Sequence, residues 1–227
     1  GNQNTALGSS SLYDNTTGSQ NTAVGFSALA NSTTSDGNTA IGRYALFSNT
    51  EGYWNTALGL RTLEANTTGT QNLGVGGLAL GANTTGVNNT AGGINALRAN
   101  TEGSYNSVYG WRGLYYNRTG THNTVIGSQA GSGVQNESDV SYNVFIGSLT
   151  GYAIKTGGDK NILIGYSTGS YLTTGANNIL IGYDVDASSS TVSNELNIGG
   201  LIIGDMSAGT VTFNDAYTFP AADGTAD

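Results

Sequence analysis

Three carboxylates in the first half of the chain, Asp36, Glu51 and Glu102, come nearest to the residues of a glycan-cleaving enzyme. Such an enzyme needs two carboxyl groups roughly 5–10 Å apart across a sugar bond. Glu51 and Glu102 occupy the same place in a 17-residue repeat, three units apart, which is about 14 Å if the units stack at the spacing of β-strands. That distance is too great, and Asp36 with Glu51 is the nearest remaining pair. We expect all three to be solvated turn charges.

Metal and nucleophile chemistry has few possible anchors. His122 is the only histidine, and there is no cysteine, so a catalytic triad or a His-rich metal site has one candidate residue. Asp184 and Asp186 imitate the start of a calcium loop, but no glycine and distal glutamate follow at the required offsets. The sequence therefore predicts a protein that is not an enzyme and that carries no metal or cofactor.

Aromatic side chains at variable positions are the better candidates for binding. The densest group surrounds Tyr109, with Arg112 and Arg118 beside it. Exposed rings of this kind can stack on sugar rings or anchor a partner protein, or they can pack between chains of an oligomer. The candidate ligand-binding residues are Tyr53, Trp54, Tyr105, Trp111, Tyr115 and Tyr116.

Charge and composition exclude several partners. The formal net charge is −8, and residues 134–227 hold ten acidic residues against Lys155 and Lys160. This balance argues against nucleic acid or an anionic membrane as the partner. No stretch approaches the roughly 18 consecutive apolar residues of a membrane span, so we expect no membrane insertion.

The elements that position these residues follow from an internal repeat of 17 residues, with the consensus N-T-A-(V/I/L)-G-x-x-A-L-x-x-N-T-T-G-x-x. We number positions within a unit from its first asparagine, position 0. Position 0 is asparagine in eight successive units: Asn4, Asn21, Asn38, Asn55, Asn72, Asn89, Asn106 and Asn123. Position +4 is glycine in the same units: Gly8, Gly25, Gly42, Gly59, Gly76, Gly93, Gly110 and Gly127.

After Gly127 the unit loosens, although its first five residues return at Asn143, Asn161 and Asn178. Insertions between such cores are tolerated by a solenoid, because they bulge out as loops from one coil. We therefore expect about eleven coils. The predicted organisation is a regular solenoid over 1–133, looser coils with insertions over 134–204, and a C-terminal junction to a further domain over 205–227.

The fold that this repeat predicts is all-β, a parallel β-solenoid. A 17-residue unit is too short for the helix pairs of common α-solenoids, and its Gly, Asn and Thr content opposes helix. We expect two short strands per coil, N-T-A-V-G and x-A-L-x, with a corner at Gly +4 and a second turn at N-T-T-G. The asparagines should form a hydrogen-bonded ladder. The apolar residues at +3 and the leucines at +8 should form the interior.

The later coils carry large apolar side chains at +1, +2 and +3 together, as in Ile162, Leu163 and Ile164. Because neighbours in a strand point to opposite faces, both faces must be covered. A thin coil has one interior, so an identical chain is the economical source of the second cover. We favour a parallel homotrimer, and dimeric or monomeric solenoids remain open.

This repeat resembles the N-T-A-x-G-x-x-A-L…N-T-T-G repeats of phage and bacterial tail-fibre-type proteins, which are trimeric. The coil repeats of trimeric autotransporter adhesin heads are similar in style. The resemblance covers 1–133 closely and 143–204 loosely, and 194–224 is similar to the junction before a tail-fibre C-terminal domain. It implies an extracellular location, on a virion tail fibre or a bacterial surface.

Three functions remain open on the sequence alone. The first is a structural shaft that positions host or receptor attachment. The second is direct binding of a surface glycan or receptor through the exposed aromatic residues. The third is ice binding by threonine ladders, which the interruptions of the Thr-Thr pair at Glu51, Glu102 and Arg118 disfavour.

Overall fold

The computed structural model describes residues 1–214, and they form the predicted parallel β-solenoid. One strand from each coil joins a single 14-stranded sheet in sequence order. Thr22 pairs with Thr39 and Ala23 with Ala40, so equivalent residues of successive coils lie in register. No α-helix occurs in this part of the chain. The strands are β1 (Thr5–Leu7), β2 (Thr22–Val24), β3 (Thr39–Ile41), β4 (Thr56–Leu58), β5 (Leu73–Val75), β6 (Thr90–Gly92), β7 (Ser107–Tyr109), β8 (Thr124–Ile126), β9 (Val144–Ile146), β10 (Ile162–Ile164), β11 (Ile179–Ile181), β12 (Glu195–Ile198), β13 (Ile202–Asp205) and β14 (Thr210–Phe213).

The expectation of two strands per coil is wrong. The segment after the glycine corner forms turns, and positions +6 and +8 adopt left-handed backbone, as in Ser27 (φ 52°) and Leu29 (φ 52°). Even with left-handed backbone at +6 and +8, the N–H groups of these residues still form hydrogen bonds along the solenoid axis. Ser27 N–H donates to Ser9 of the preceding coil at 2.9 Å, and Leu29 N–H donates to Ala45 of the next coil at 2.9 Å. The coil thus bends back within 17 residues without losing its axial bonds.

The expected position of the +3 side chains in the interior is also wrong. Position +2 faces inward, so that Ala23, Ala40 and Ala57 are fully buried, whereas Ile41 and Leu58 at +3 are exposed. The reason is the alternation of strand side chains. The hydrogen bonds of the asparagine at position 0 hold its side chain in the interior. Position +2 lies on the same face of the strand and is therefore also interior, whereas +1 and +3 face outward.

The interior holds about one large side chain per coil, but its source changes along the chain. In coils 1–7 it is leucine at +8, as in Leu46 and Leu63. In coils 8–10 position +8 is glycine, and +2 becomes large, as in Phe145 and Leu163. A Cβ at Gly151 would lie 3.2 Å from Leu163 Cδ1 and 3.3 Å from Phe145 Cζ. The two positions therefore exchange volume, as close packing requires.

The asparagines at position 0 connect every coil to the next. Asn38 is typical: its Oδ1 accepts the backbone N–H of Asn55 at 2.9 Å, and its Nδ2 donates to the Gly52 carbonyl of its own coil at 2.9 Å. The side chain thus closes its own coil and links the following one. Both groups are buried, where an unpaired polar atom is costly.

A second buried asparagine column, at +11, was not singled out by the sequence analysis. Asn66 Nδ2 donates to Asn49 Oδ1 at 2.8 Å, and Asn83 Nδ2 donates to Asn66 Oδ1 at 2.7 Å. The signal was present, because the first residue of N-T-T-G recurs at the same 17-residue interval.

Glycine at +4 forms the corner, with φ between 123° and 144°. A Cβ at Gly59 would approach the carbonyl carbon of Gly76 to 2.9 Å. Glycine at +14 meets a different need. Gly52 has no positive φ, but a Cβ there would lie 2.4 Å from both Asn49 Oδ1 and the Gly69 carbonyl oxygen. Close approach between stacked coils selects glycine at this second turn.

The parallel order ends with β12. Glu195 takes the position of the ladder asparagine, and its N–H donates to Asn178 Oδ1 at 2.8 Å. Its carboxylate accepts from Ser188 Oγ at 2.6 Å. β13 and β14 then continue the sheet antiparallel, across the predicted boundary at 205. The rest of the predicted junction, 215–227, lies outside the described residues.

Candidate functional site: the outer sheet face and the surface aromatics

The outer sheet face consists of positions +1 and +3 of β1–β11, and its +3 column is apolar along the rod. Leu7 is 68% exposed, Leu58 45% and Ile126 46%. The column stays continuous at Gly92, because the ring of Tyr109 from the next coil occupies that space. A Cβ at Gly92 would lie 2.7 Å from Tyr109 Cδ1.

The +1 column changes character along the rod. It is mostly threonine in the first eight coils, as in Thr22 and Thr56, and aliphatic in the last three, at Val144, Ile162 and Ile179. None of these side chains is buried in the single chain. The outer sheet face is therefore an exposed apolar stripe that widens toward its C-terminal end, which is the arrangement typical of an interaction surface.

The six candidate aromatic residues do not form one cluster. Tyr53 and Trp54 pack edge to face with ring centroids 5.3 Å apart. The indole of Trp54 fills the space over Gly37, where a Cβ would lie 2.5 Å from Trp54 Cδ1. Trp54 and Gly37 both occupy position +16. This pair thus packs along the rod in coils 2 and 3, far from the coil 7 residues.

Tyr105 belongs to a stack of three rings, each from the residue immediately before a ladder asparagine. His122 lies between Tyr105 and Tyr142, with centroid distances of 4.9 Å and 5.0 Å and interplanar angles of 19° and 11°. Each ring covers a face of its neighbour, so only the outer faces of the end rings and the ring edges remain for a ligand. His122 Nδ1 lies 3.0 Å from Thr121 Oγ1. With a tyrosine ring on each face, His122 packs at the surface of the rod.

Tyr115 and Tyr116 occupy another corner of the coil, at +9 and +10. Their rings are perpendicular, with centroids 4.6 Å apart. The guanidinium of Arg112 lies over the ring of Tyr115 at 4.4 Å and beside that of Trp111 at 5.5 Å. Trp111, Tyr115 and Arg112 are thus joined by cation–π contacts.

A cavity of about 170 Å³ opens at this corner, which we call the corner pocket. It lies where the insertion of coil 8 passes the outside of coils 6 and 7. Its lining residues are Arg98, Ala99, Tyr115, Tyr116, Arg118, Gln135 and Asn136. Two of the predicted aromatic residues, Tyr115 and Tyr116, thus meet a concave surface here.

Asp139 fixes one edge of the corner pocket. Its Oδ2 pairs with the Arg118 guanidinium at 3.2 Å, and its Oδ1 accepts the N–H groups of Arg118 at 2.6 Å and Thr119 at 3.0 Å. Partial burial by itself raises the pKa of Asp139, but these N–H groups and the guanidinium outweigh it, so the pKa is lowered from its ordinary value. Asp139 is therefore held as a carboxylate.

The three carboxylates considered for catalysis are all exposed. Asp36 accepts the backbone N–H of Ser19 at 2.6 Å, and Glu51 and Glu102 are exposed in equivalent turns. Burial raises the pKa of Asp186, and the neighbouring Asp184 adds to this effect. Residues 1–214 contain no group of three or more His, Cys, Asp or Glu side chains placed to hold a metal ion.

Two further observations concern the predicted partners. Within the described part of the chain, no helix is long and apolar enough to cross a membrane.

The first threonine of N-T-T-G uses its hydroxyl within the rod. Thr67 Oγ1 donates to the Thr84 carbonyl at 3.1 Å, and Thr84 Oγ1 donates to the Thr101 carbonyl at 3.0 Å. Ice binding through this column was the alternative that the sequence disfavours, and these contacts do not test it.

Comparison of the chain with protein-family models, curated proteins and solved structures found no match. Functional inference therefore rests on the solenoid and on its two distinctive surfaces, the outer sheet face and the corner pocket.

Proposed function

We propose that this chain is a structural segment of a fibrous surface appendage, of the tail-fibre or adhesin type, that positions attachment to a host or receptor. The observation that carries the proposal is the exposed apolar outer sheet face, which follows the rod through all eleven coils. A rod that displays such a stripe is suited to association along its length. The resemblance of the repeat to tail-fibre-type sequences supports an extracellular, virion or bacterial surface location.

The partner that fits this face best is another copy of the chain, aligned parallel and in register. In a parallel arrangement the aliphatic +1 residues, such as Ile162 and Ile179, pack against the aliphatic +1 residues of the other chain. The threonines likewise pack against threonines. Antiparallel association would bury threonine hydroxyls against the isoleucines, which carries a desolvation cost. The change from threonine to aliphatic residues along the +1 column thus favours the parallel orientation of neighbouring chains.

Three copies are our preferred number. The stripe is only two columns wide, about 7 Å across since each residue advances about 3.3 Å, which suits convergence of three chains on one axis. The resemblance also implies a trimer. Two chains packed face to face would cover the same stripe and form the alternative assembly.

Solution mass tests this proposal directly. We expect light scattering during size-exclusion chromatography to give the mass of three chains at micromolar concentration. Ile162→Asp places a charge on the outer sheet face and should shift the mass toward one chain. Thr174→Asp, in an exposed turn, is the matched control and should leave the trimer intact. A wild-type protein that runs as a single chain would contradict the proposal.

A further inference from the structure

We propose that the corner pocket binds an acidic sugar, a pyranose ring carrying a carboxylate, as part of a surface glycan. This inference is independent of the shaft function and of the number of chains. It rests on the shape of the pocket, on the charges at its walls and on two tyrosine rings.

The pocket is built before any ligand arrives. Arg98 comes from coil 6, Tyr115 and Tyr116 come from coil 7, and the insertion 133–139 supplies the third wall. The insertion is anchored by Ser138, whose hydroxyl contacts the Ile154 carbonyl at 2.7 Å and the Val134 carbonyl at 2.9 Å. A wall fixed in this way reduces the ordering cost of binding. The cavity is smaller than the roughly 300–1,000 Å³ pockets of drug-sized ligands and suits a single ring.

The charges around the pocket leave a cationic surplus. On the insertion, Asp139 is paired with Arg118 at 3.2 Å and Glu137 with Lys155 at 2.7 Å. The side chain of Arg98 has no hydrogen bond or ion pair within residues 1–214, and its Nε is buried without an acceptor. The Nε of Arg112 is in the same condition. Buried donors without an acceptor are costly. A ligand carboxylate that approached the guanidinium of Arg98 from the pocket would balance its positive charge.

The remaining groups favour a sugar over a bare anion. Tyr115 and Tyr116 present perpendicular rings, and the carbon-bound hydrogens of a pyranose pack well on aromatic faces, as apolar groups do. Arg112 supports the Tyr115 ring from one side at 4.4 Å. The amides of Gln135 and Asn136, both exposed, provide donors and acceptors for ring hydroxyls. A guanidinium, two rings and two amides match a carboxylate, a ring and its hydroxyls.

The test is titration of the 227-residue chain with trigalacturonate by calorimetry at low salt. Maltotriose serves as a neutral trisaccharide and triglutamate as an acidic peptide. We expect binding of trigalacturonate only, weakened by added salt. Arg98→Gln should weaken it roughly tenfold or more, because a charge-assisted bond is lost. Arg61→Gln removes the same charge at a distant arginine paired with Glu64 and should leave affinity unchanged.

Tyr116→Ala gives a second, uncharged test and should also reduce binding, while Tyr13→Ala, at an exposed ring in coil 1, should not. Melting curves establish that each variant is folded. If Arg98→Gln unfolds the chain, Arg98→Lys replaces it, because it keeps the charge but loses the planar fork. No binding of trigalacturonate, equal binding of maltotriose or triglutamate, or equal losses in the Arg98 and Arg61 variants would each overturn the proposal.

Discussion

Leucine at position +8 is held in a backbone conformation that L-residues rarely adopt, with φ from 47° to 53° across coils 1–7. This conformation costs roughly 1–2 kcal/mol per residue relative to right-handed backbone. Burial of the same side chain stabilises the fold by about 1.5–3 kcal/mol. The two are of similar size, which explains why glycine can replace leucine at +8 once another residue fills the interior.

The exchange of volume between +2 and +8 predicts a strong coupling within one coil. Ala57→Leu should destabilise the rod by about 1–3 kcal/mol through overpacking, and Leu63→Gly by about 2–5 kcal/mol through a cavity. The double variant recreates the later coils, so its loss should be well below the sum of the single losses. Chemical denaturation of all four proteins measures the coupling. Additive losses would show that the two positions do not share one space.

Asp139 predicts a specific dependence of stability on pH. Because its pKa is lowered in the folded protein, its contribution is present above the unfolded value of about 3.9. That contribution is lost as pH falls through the lower folded value. Asp139→Asn should therefore melt at a lower temperature than wild type at pH 7, and the difference should shrink as the pH falls below about 3.9. A difference in melting temperature that stays constant from pH 7 to pH 2 would contradict this assignment.

At the scale of elements, the sequence predicts well those repeat positions that hold the same residue type in successive coils. The 17-residue period, the asparagines at position 0 and the corner glycines such as Gly59 were all accessible, because each coil repeats the same local requirement. The direction of the strand side chains was harder to predict. Ala57 at +2 and Leu58 at +3 are both apolar, and only the hydrogen bonds that bury Asn55 decide which of them faces inward.

The second strand was mispredicted for a related reason. No local pattern in a segment such as Ala45-Leu46 marks its left-handed turns, which follow from hydrogen bonds to adjacent coils. The corner pocket was only half predictable. Tyr115 and Tyr116 were singled out, but Arg98 is 17 residues from Tyr115, and the wall comes from an insertion outside the repeat. Predicting it required the path of that loop.

At the scale of the whole molecule, each coil contacts mainly its neighbours, so stability is close to a sum of nearest-neighbour terms. Deletion of Asn55–Gln71, one complete coil, should leave a folded rod shortened by about 4.8 Å. One small cost is expected: Thr62 is lost, and its methyl fills the space over Gly74, where a Cβ would lie 2.5 Å from Thr62 Cγ2. A missing methyl group of this size is worth about 1 kcal/mol.

Deletion of eight residues from the same coil, 60–67, is the matched control. It removes Leu63 and shifts every later column out of register, so we expect a much larger loss of melting temperature and of β-type circular dichroism. Equal disruption by the two deletions would mean that the coils are not independent units, and the solenoid account of stability would fail.

The axial direction of the hydrogen bonds between coils has a mechanical consequence. A pulling force applied between the two ends of the chain passes through every contact between coils in series, so the weakest contact opens first while the others stay closed. Each released coil of 17 residues supplies roughly 55 Å of extended chain in place of about 4.8 Å of rod. Under tension the rod would therefore yield in discrete steps and dissipate energy at each one, whereas under compression the same stacked coils bear directly on one another.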